Sequence, residues 1–143
     1  MTKPPPEAGL VIRYDYVWRR EAAEGRQEGA KYRPCVVVIG SGTAAGRAFA
    51  LVAPVTQTPP DSLATAVPLP LPVKRHLGLD DAPSWIIVSE LNRIDWQDAG
   101  LIPVARGRWA YGYLPPGLVR QIIEKVRAGL TAHQLALVRR DLM

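Results

Sequence analysis

Three polar residues in this sequence stand where an apolar segment begins, ends or is interrupted: Arg33, Thr56 and Glu90. Arginine carries a planar, permanently charged fork of donors that suits phosphate oxygens. A threonine hydroxyl can donate to the same kind of oxygen, and a glutamate can exchange protons with a substrate. Each also has a structural explanation: a surface arginine that begins a strand, a threonine that bonds its own turn, and a buried glutamate that accepts hydrogen bonds.

A second group of residues could contact an anionic chain. Arg26, Lys31 and Tyr32 belong to the charged segment 18–32. Three further residues of this segment are of the same kinds: Trp18, Arg19 and Arg20. Cations neutralise a nucleic-acid backbone, and aromatic rings stack on unpaired bases. His76 lies in a small basic cluster and could act as a general base near neutral pH. The alternative for all of them is a solvated surface, the usual role of charged runs.

The elements that must position these residues belong to a chain of 143 residues with a formal charge of +5 and a pI near 9.7. Residues 1–8 predict a proline-rich, disordered tail, and residues 9–143 predict a single domain that needs no disulfide or metal to fold. The modest positive charge favours an anionic partner such as RNA, DNA or an acidic protein. The single cysteine, Cys35, excludes an intrachain disulfide and a cysteine-rich zinc site.

Neither a metal nor any other cofactor is expected from the sequence. His76 and His133 lie far apart, with no cysteine or carboxylate at metal-ligand spacing. No apolar run is long enough to span a membrane, and the N-terminal segment lacks the apolar core of a signal peptide. We therefore expect a cytoplasmic protein that does not bind a membrane.

The first half of the chain predicts strands that frame a charged loop. Apolar and polar residues alternate over 10–17, which is typical of a strand. Strands over 33–39 and 48–55 are predicted to pair antiparallel through a hairpin connection formed by Gly40-Ser41-Gly42-Thr43 and Gly46. Segment 18–32 predicts a loop with one turn of helix near its start, and its length is typical of a functional lid as well as of a plain connection.

The next part of the chain predicts shorter elements that end in proline and glycine. The expected elements are an edge strand over 64–69, one helical turn over 72–79, a long strand over 84–96 with a bend near Glu90, and two short strands at 101–104 and 109–113.

The C-terminal part changes to a helical period. Apolar residues between 118 and 126 recur on one helical face, after two prolines that can begin a helix. Gly129 and Thr131 predict a stop and a new N-cap, followed by a second helical face in an extension from about residue 130. The residues of that second face are Leu135, Val138 and Leu142. Strands first and helices last predict a mainly β fold, a small antiparallel barrel with packed C-terminal helices.

Four motifs follow one another along the chain: GRQEGAKYRP at 25–34, APVT at 53–56, SELNRIDW at 89–96 and YGYLP at 111–115. They resemble a Gly-x-Glu-Gln-x-Gly-x-Arg-Pro loop, a P-x-T strand end, an Asp-Gln-x-x-x-Ile-Asp segment and a Gly-x-Leu closing element. These elements belong to the PemK/MazF family of toxin–antitoxin endoribonucleases. The resemblance covers roughly residues 9–128 and implies a compact SH3-like barrel that forms a homodimer.

The sequence also departs from the family pattern. An extra residue precedes Arg33, and Gln27-Glu28 reverses the family's Glu-Gln order. Ser89 stands where the family has an acidic residue that several relatives use for proton transfer. Glu90 is the candidate replacement, although neighbouring residues of a regular strand face opposite sides unless a bulge intervenes. Residues 130–143 extend past the family's usual end.

The resemblance implies the toxin of a type II toxin–antitoxin system. Its activity would be sequence-specific, metal-independent cleavage of single-stranded RNA, with the neighbouring 2′-OH as nucleophile. The implied catalytic residues are Arg33, Thr56 and Glu90. The residues expected to bind RNA are Arg26, Lys31, Tyr32 and His76. An acidic, partly disordered antitoxin would occupy the basic RNA groove.

Two other functions fit the same sequence. The CcdB toxins share the fold but poison DNA gyrase, and a gyrase poison would not need Arg33 and Thr56. A catalytically inactive barrel that binds RNA or protein is the other alternative, and Ser89 favours it because a carboxylate is missing there.

Overall fold

The computed structural model describes residues 3–27, 29, 31–44, 47–98 and 100–140. Within these residues the chain is mainly β. The strands are β1 Leu10–Tyr14, β2 Arg33–Ala44, β3 Arg47–Thr56, β4 Ala66–Pro68, β5 Trp85–Ile87, β6 Glu90–Asp95, β7 Leu101–Ile102, β8 Gly112–Tyr113 and β9 Ala136–Arg139. The α-helices are α1 Arg19–Ala23, α2 Leu71–Leu77 and α3 Pro116–Thr131, and a 3₁₀ turn spans Leu63–Thr65.

The antiparallel pair of β2 and β3 is the centre of the sheet. β1 pairs antiparallel with β2 on one side, and β6 pairs antiparallel with β3 on the other. Towards its C-terminal end β3 pairs with β5 instead, where Thr56 lies opposite Trp85. Cys35 of β2 lies opposite Pro54 of β3, so the start of β2 and the end of β3 lie side by side. This register brings Arg33 and Thr56 to the same end of the sheet.

Two apolar clusters fill the interior on opposite faces of β1. Leu10, Ile12 and Tyr14 belong to one cluster, whereas Val11 belongs to the other, as the period of two in a strand requires. α3 covers the second cluster, and its buried residues Leu118, Ile122 and Val126 follow the helical period that the sequence predicted. The burial of both faces explains why β1 is apolar almost throughout.

Most of the predicted elements are present, with shifted bounds. The predicted strand 84–96 is broken at residues 88–89 into β5 and β6, which confirms the bend expected near Glu90. α2 confirms the predicted helical turn. Gly78 follows it, and its φ of 76° lies in the left-handed region that glycine favours. The two strands expected on either side of Gly107 shrink to the two-residue strands β7 and β8. The connection predicted over residues 40–43 is wrong, because β2 continues to Ala44 and these residues pair with β3. Gly46 lies outside the described residues.

The prediction of a disordered N-terminal tail is wrong for residues 3–8. Pro6 is buried, and the indole Nε1 of Trp96 donates a hydrogen bond of 2.9 Å to the carbonyl of Pro4. The ammonium group of Lys3 lies 5.7 Å from the ring centroid of Trp96 and 5.4 Å from that of Trp109. The prolines that prevent regular structure here do not prevent packing against aromatic rings.

The predicted second C-terminal helix is also wrong. α3 runs without a stop through Gly129 to Thr131, and the next element is the strand β9, which pairs parallel with β6. An unpaired edge of β6 accounts for the difference, because the backbone of residues 136–139 can complete its ladder there. Leu142, the last residue assigned to the expected helix, lies outside the described residues.

Candidate functional site

A cavity of about 740 Å³ opens at the end of the sheet where β2 begins and β3 ends. Its walls come from these two strand ends, from the segment that carries α1, and from the α2 region. The described residues that line it are Trp18, Arg20, Lys31, Tyr32, Arg33, Pro34, Val55, Thr56, Gln57, Thr58, Lys74, Leu79, Asp80, Ser84 and Tyr111. Four of them are basic and one is acidic, so the cavity suits an anion.

A second cavity of about 380 Å³ adjoins the first. Trp18, Arg20, Thr56 and Thr58 line both of them. The second cavity adds the residues 59–62, Thr65, Ile87, Ser89 and Glu90. Arg33 and Glu90 thus face neighbouring parts of one depression, which we call the groove, with Thr56 at the border between its two parts.

Arg33 is half-buried at the first position of β2. Its guanidinium carbon lies 5.0 Å from the ring centroid of Trp18, within the range of a cation–π contact. Its Nε is buried and has no hydrogen-bond partner among the described residues. Burial lowers the pKa of Arg33 from its ordinary value, although an arginine of this kind stays charged at neutral pH. Arg33 also lines the larger cavity, and a charged guanidinium at the wall of a cavity is suited to bind an anionic ligand.

Trp18 is the aromatic centre of the groove. It is 8% exposed, and its ring makes an edge-to-face contact with Tyr16 at a centroid distance of 5.3 Å. The guanidinium of Arg20 also lies 5.0 Å from the ring centroid of Trp18. Two cations therefore approach one indole, which draws positive charge to the part of the groove that both cavities share.

Thr56 is a buried residue at the end of β3. Its Oγ1 accepts a hydrogen bond of 3.1 Å from the backbone N–H of Thr58, the local turn contact that threonines often make at strand ends. The hydroxyl still has its own proton to donate, since the Thr58 contact uses only a lone pair. Thr56 can therefore hold its turn and donate to a ligand at the same time.

Glu90 combines a structural contact with a position on the groove. Its Oε1 accepts hydrogen bonds from the Tyr16 hydroxyl at 3.1 Å and from the Arg19 backbone N–H at 2.9 Å. Arg19 is the first residue of α1, so Glu90 holds the N-terminal end of that helix, where a negative charge is favourable. Burial raises the pKa of Tyr16 well above its ordinary value, and the Glu90 charge adds to the shift. The Tyr16 hydroxyl consequently stays protonated as a donor.

Asn92 fastens the segment that carries Trp18. Its side chain is fully buried; its Oδ1 accepts from the backbone N–H of Val17 at 3.0 Å, and its Nδ2 donates to the Val17 carbonyl at 2.8 Å. The amide thus pairs with this backbone as a neighbouring strand would. Asn92 belongs to the SELNRIDW motif at 89–96, and these two hydrogen bonds serve the fold.

The groove also contains a charged residue that sequence reasoning did not single out, Lys74. Its side chain is 3% exposed, and its ammonium group contacts Asp80 at 3.0 Å, Ser84 Oγ at 2.6 Å and the carbonyl of Ala82. The hydrogen bond from Lys74 lowers the pKa of Asp80. Helical spacing was the available signal, because Lys74 lies three residues before the buried Leu77 and so on the same face of α2.

The predicted RNA-binding residues divide between the groove and the outer surface. Lys31 and Tyr32 line the larger cavity, and the guanidinium of Arg13 lies 5.6 Å from the Tyr32 ring centroid. Arg26 instead pairs with Glu21 at 3.1 Å, and His76 is exposed on α2. Neither is among the described residues that line the two cavities. Of the Gln27-Glu28 pair in the loop motif, Glu28 lies outside the described residues.

The described residues include no group of three histidine, cysteine or acidic side chains placed to hold a metal ion. In the same part of the chain, none of the helices has the length and apolar character needed to cross a membrane. The described residues that line the groove carry cations, hydroxyl groups, carboxylates and aromatic rings.

The mainly β fold and the loop-strand arrangement around Arg33 define a known class of protein. The chain belongs to the family of PemK-like, MazF-like toxins of type II toxin–antitoxin systems, whose family model matches residues 13–131. This match confirms the resemblance noted in the sequence. Residues 132–143 lie outside the matched part.

A solved structure supports the same fold. The Mycobacterium tuberculosis toxin MazF-mt6 superposes with a TM-score of 0.54 and 21% sequence identity, over 85% of this chain and 96% of that chain. No curated protein sequence matches this chain. The expected mainly β, SH3-like architecture is confirmed, with a single C-terminal α-helix in the described residues instead of several.

Proposed function

We propose that this chain is the toxin of a type II pair and acts as a metal-independent, sequence-specific endoribonuclease on single-stranded RNA. Family membership supports the toxin role. The observation that carries the enzymatic part is Arg33, a half-buried arginine whose guanidinium is a charged donor on the wall of a positively charged groove. Phosphate is the RNA group that would satisfy such a donor.

The proposed reaction is a transesterification at phosphorus. The 2′-OH loses its proton to a base, its oxygen forms a bond to the adjacent phosphorus, and the bond from phosphorus to the 5′ oxygen breaks. The departing 5′ oxygen takes up a proton, so the products are a 2′,3′-cyclic phosphate and a 5′-OH. Arg33 would stabilise the charge on the non-bridging oxygens, and the Thr56 hydroxyl would donate to one of them.

Glu90 is the proposed base. An ionised carboxylate only accepts hydrogen bonds, and Glu90 already accepts two through Oε1. It lines the smaller cavity next to Ser89, the residue that stands at the family's acidic position. The two donors would orient the carboxylate, while its second oxygen would receive the proton of the 2′-OH.

The RNA would lie along the groove with its bases beside Trp18 and Tyr32 and its phosphates beside Arg20 and Lys31. Tyr32 is 44% exposed, which leaves its ring accessible for stacking. An acidic antitoxin would compete for the same positive surface. We further propose that the toxin is a cytoplasmic homodimer, as the family resemblance implies.

The test is cleavage of end-labelled single-stranded RNA by the purified protein, with and without EDTA. Cleavage in EDTA that leaves 2′,3′-cyclic phosphate and 5′-OH ends would support the proposal. Loss of activity in EDTA, or products with 5′-phosphates, would contradict the mechanism. RNA that is bound but not cut would instead support the inactive barrel that Ser89 makes a second candidate. Arg106→Ala is a matched control for charge loss, because Arg106 is exposed and outside both cavities.

A further inference from the structure

Arg140 lies directly after β9, beyond the residues that the family model matches. Its side chain is only 8% exposed. The guanidinium carbon lies 5.1 Å from the ring centroid of Tyr14, and Nη1 is 3.3 Å from Asn92 Oδ1. A charged side chain at this depth needs several acceptors around it.

Those acceptors come from the two ends of one segment. Nη1 donates to the carbonyl of Asp15 at 3.0 Å, and Nη2 donates to the carbonyl of Gln27 at 3.0 Å. Nη2 also pairs with the Asp15 carboxylate at 3.4 Å. One guanidinium thus joins residues that are twelve positions apart, and the planar fork of arginine permits this, whereas a single ammonium group would not.

Residues 16–18 at the start of this segment are buried, but the rest of it has little of its own to hold it. It carries α1, which has five residues, none of which is buried. A helix this short is marginal without tertiary contacts. The Glu21 carboxylate accepts a hydrogen bond of 3.0 Å from the backbone N–H of Trp18 and forms an ion pair of 3.1 Å with Arg26. The side chain of Asn92 holds the backbone of Val17. Gln27, at the far end, is joined to the sheet side of the molecule through Arg140.

We propose that Arg140 is a positioning residue that fastens both ends of segment 15–27 and so holds Trp18 and Arg20 at the groove. Its influence on RNA cleavage rests on the function proposed above, whereas its influence on the segment does not. This role gives the residues after α3 a function in the fold, because β9 pairs with β6 and so places Arg140 next to Asp15 at the start of segment 15–27.

The experiment measures how fast trypsin cuts the native full-length protein at Arg19, Arg20 and Arg26, with the fragments identified by mass spectrometry. Native proteolysis reports the population of the locally open segment. In Arg140→Ala we expect cutting at these three residues to rise at least about tenfold, the effect of losing one charge-assisted hydrogen bond. Arg140→Lys keeps the charge without the fork, so it should lie between Arg140→Ala and the wild type. Arg127→Ala removes an exposed charge from α3 and should behave as wild type.

The result that would overturn the proposal is unchanged cutting at these sites. An equal increase at Arg120 and Arg127 in α3 would also overturn it, because the whole domain would then be less stable. If Arg140→Ala does not fold, Arg140→Lys alone decides by the same criterion. Single-turnover RNA cleavage, measured in parallel, separates the two proposals. A wild-type protein without nuclease activity contradicts the proposed function but leaves the proteolysis test of Arg140 intact.

Discussion

Arg33 and Lys74 are two cations on the wall of the same cavity, and their surroundings differ. The ammonium group of Lys74 is buried and contacts Asp80, Ala82 and Ser84. Arg33 is half-buried, packs against Trp18 and keeps a buried Nε without a partner among the described residues. The α2 side of the cavity therefore uses its charge within the fold, whereas the strand-end side leaves donor capacity for a ligand.

The hydrogen-bond partners of each side chain therefore distinguish a cation that stabilises the fold from one that can bind a ligand. A cation whose donors are already used within the fold has little left to offer a ligand, whereas a guanidinium at a cavity wall keeps donors that a ligand can use. Composition alone cannot make this distinction, since both residues are basic and both adjoin apolar segments. It makes Arg33 the first residue to test for activity and Lys74 the first to test for stability.

The largest expected effect is on catalysis, at Arg33. Arg33→Ala should lower the single-turnover rate of RNA cleavage by about 10²-fold or more, like the loss of one oxyanion donor. Arg33→Lys should recover part of the rate, because it keeps the charge but not the fork. Thermal melts of both variants should stay near the wild type. A folded Arg33→Ala protein that cleaves within a few-fold of wild type would remove Arg33 from the site.

Lys74 should show the opposite pattern. Lys74→Met keeps the apolar stem but removes the ammonium donor of Asp80 and Ser84 Oγ, and it leaves the Ala82 carbonyl with only its hydrogen bond from Ser84 Oγ. The free energy of unfolding should therefore fall by roughly 1.5–3 kcal/mol. Urea unfolding measures this loss. RNA cleavage at a temperature where the variant is folded should remain within a few-fold of wild type. A variant of normal stability that has lost its activity would reverse the two roles.

Cys35 lies in β2 two residues after Arg33, where the strand passes from the wall of the cavity into the buried core. Burial raises the pKa of this thiol above its ordinary value of 9.0. Above that pH the unfolded chain loses a proton that the folded chain keeps, so stability should fall with rising pH, by up to about 1.4 kcal/mol per pH unit. Urea unfolding between pH 8 and pH 10.5 measures the slope. Cys35→Val should flatten it, leaving the part due to Tyr14 and Tyr16, whose pKa values are raised as well.

The smallest expected effect concerns the salt dependence of RNA binding. Lys31 lines the cavity, whereas Arg26 pairs with Glu21 outside it. Lys31→Ala should reduce the slope of log K against log salt by about 0.7, the value for one phosphate contact on a single strand. Arg26→Ala should leave the slope unchanged, contrary to what charge patterning alone suggested. Equal changes in both slopes would mean that the RNA also crosses the outer face of α1.

Several elements could be predicted from the sequence because local chemistry dominates them. The apolar period of α3 and the Pro72 and Gly78 limits of α2 act within a few residues. The fate of residues 136–139 could not be predicted in this way. Their apolar spacing fits a short helix, but the free edge of β6 offers backbone partners from a distant part of the chain.

The residues of the candidate site also divide into those that the sequence identified and those whose role only the structure revealed. The sequence by itself determined the family, the mainly β fold and the candidates Arg33, Thr56 and Glu90, since motif order and residue chemistry are local properties of the chain. Only the tertiary structure decided that Lys74 is a buried structural cation, that Arg26 and His76 lie away from the groove, and that Arg140 closes the loop around α1. The physical reason is that hydrogen-bond partners and desolvation depend on side chains far apart in sequence, and these decide whether a charge serves the fold or remains available to a ligand.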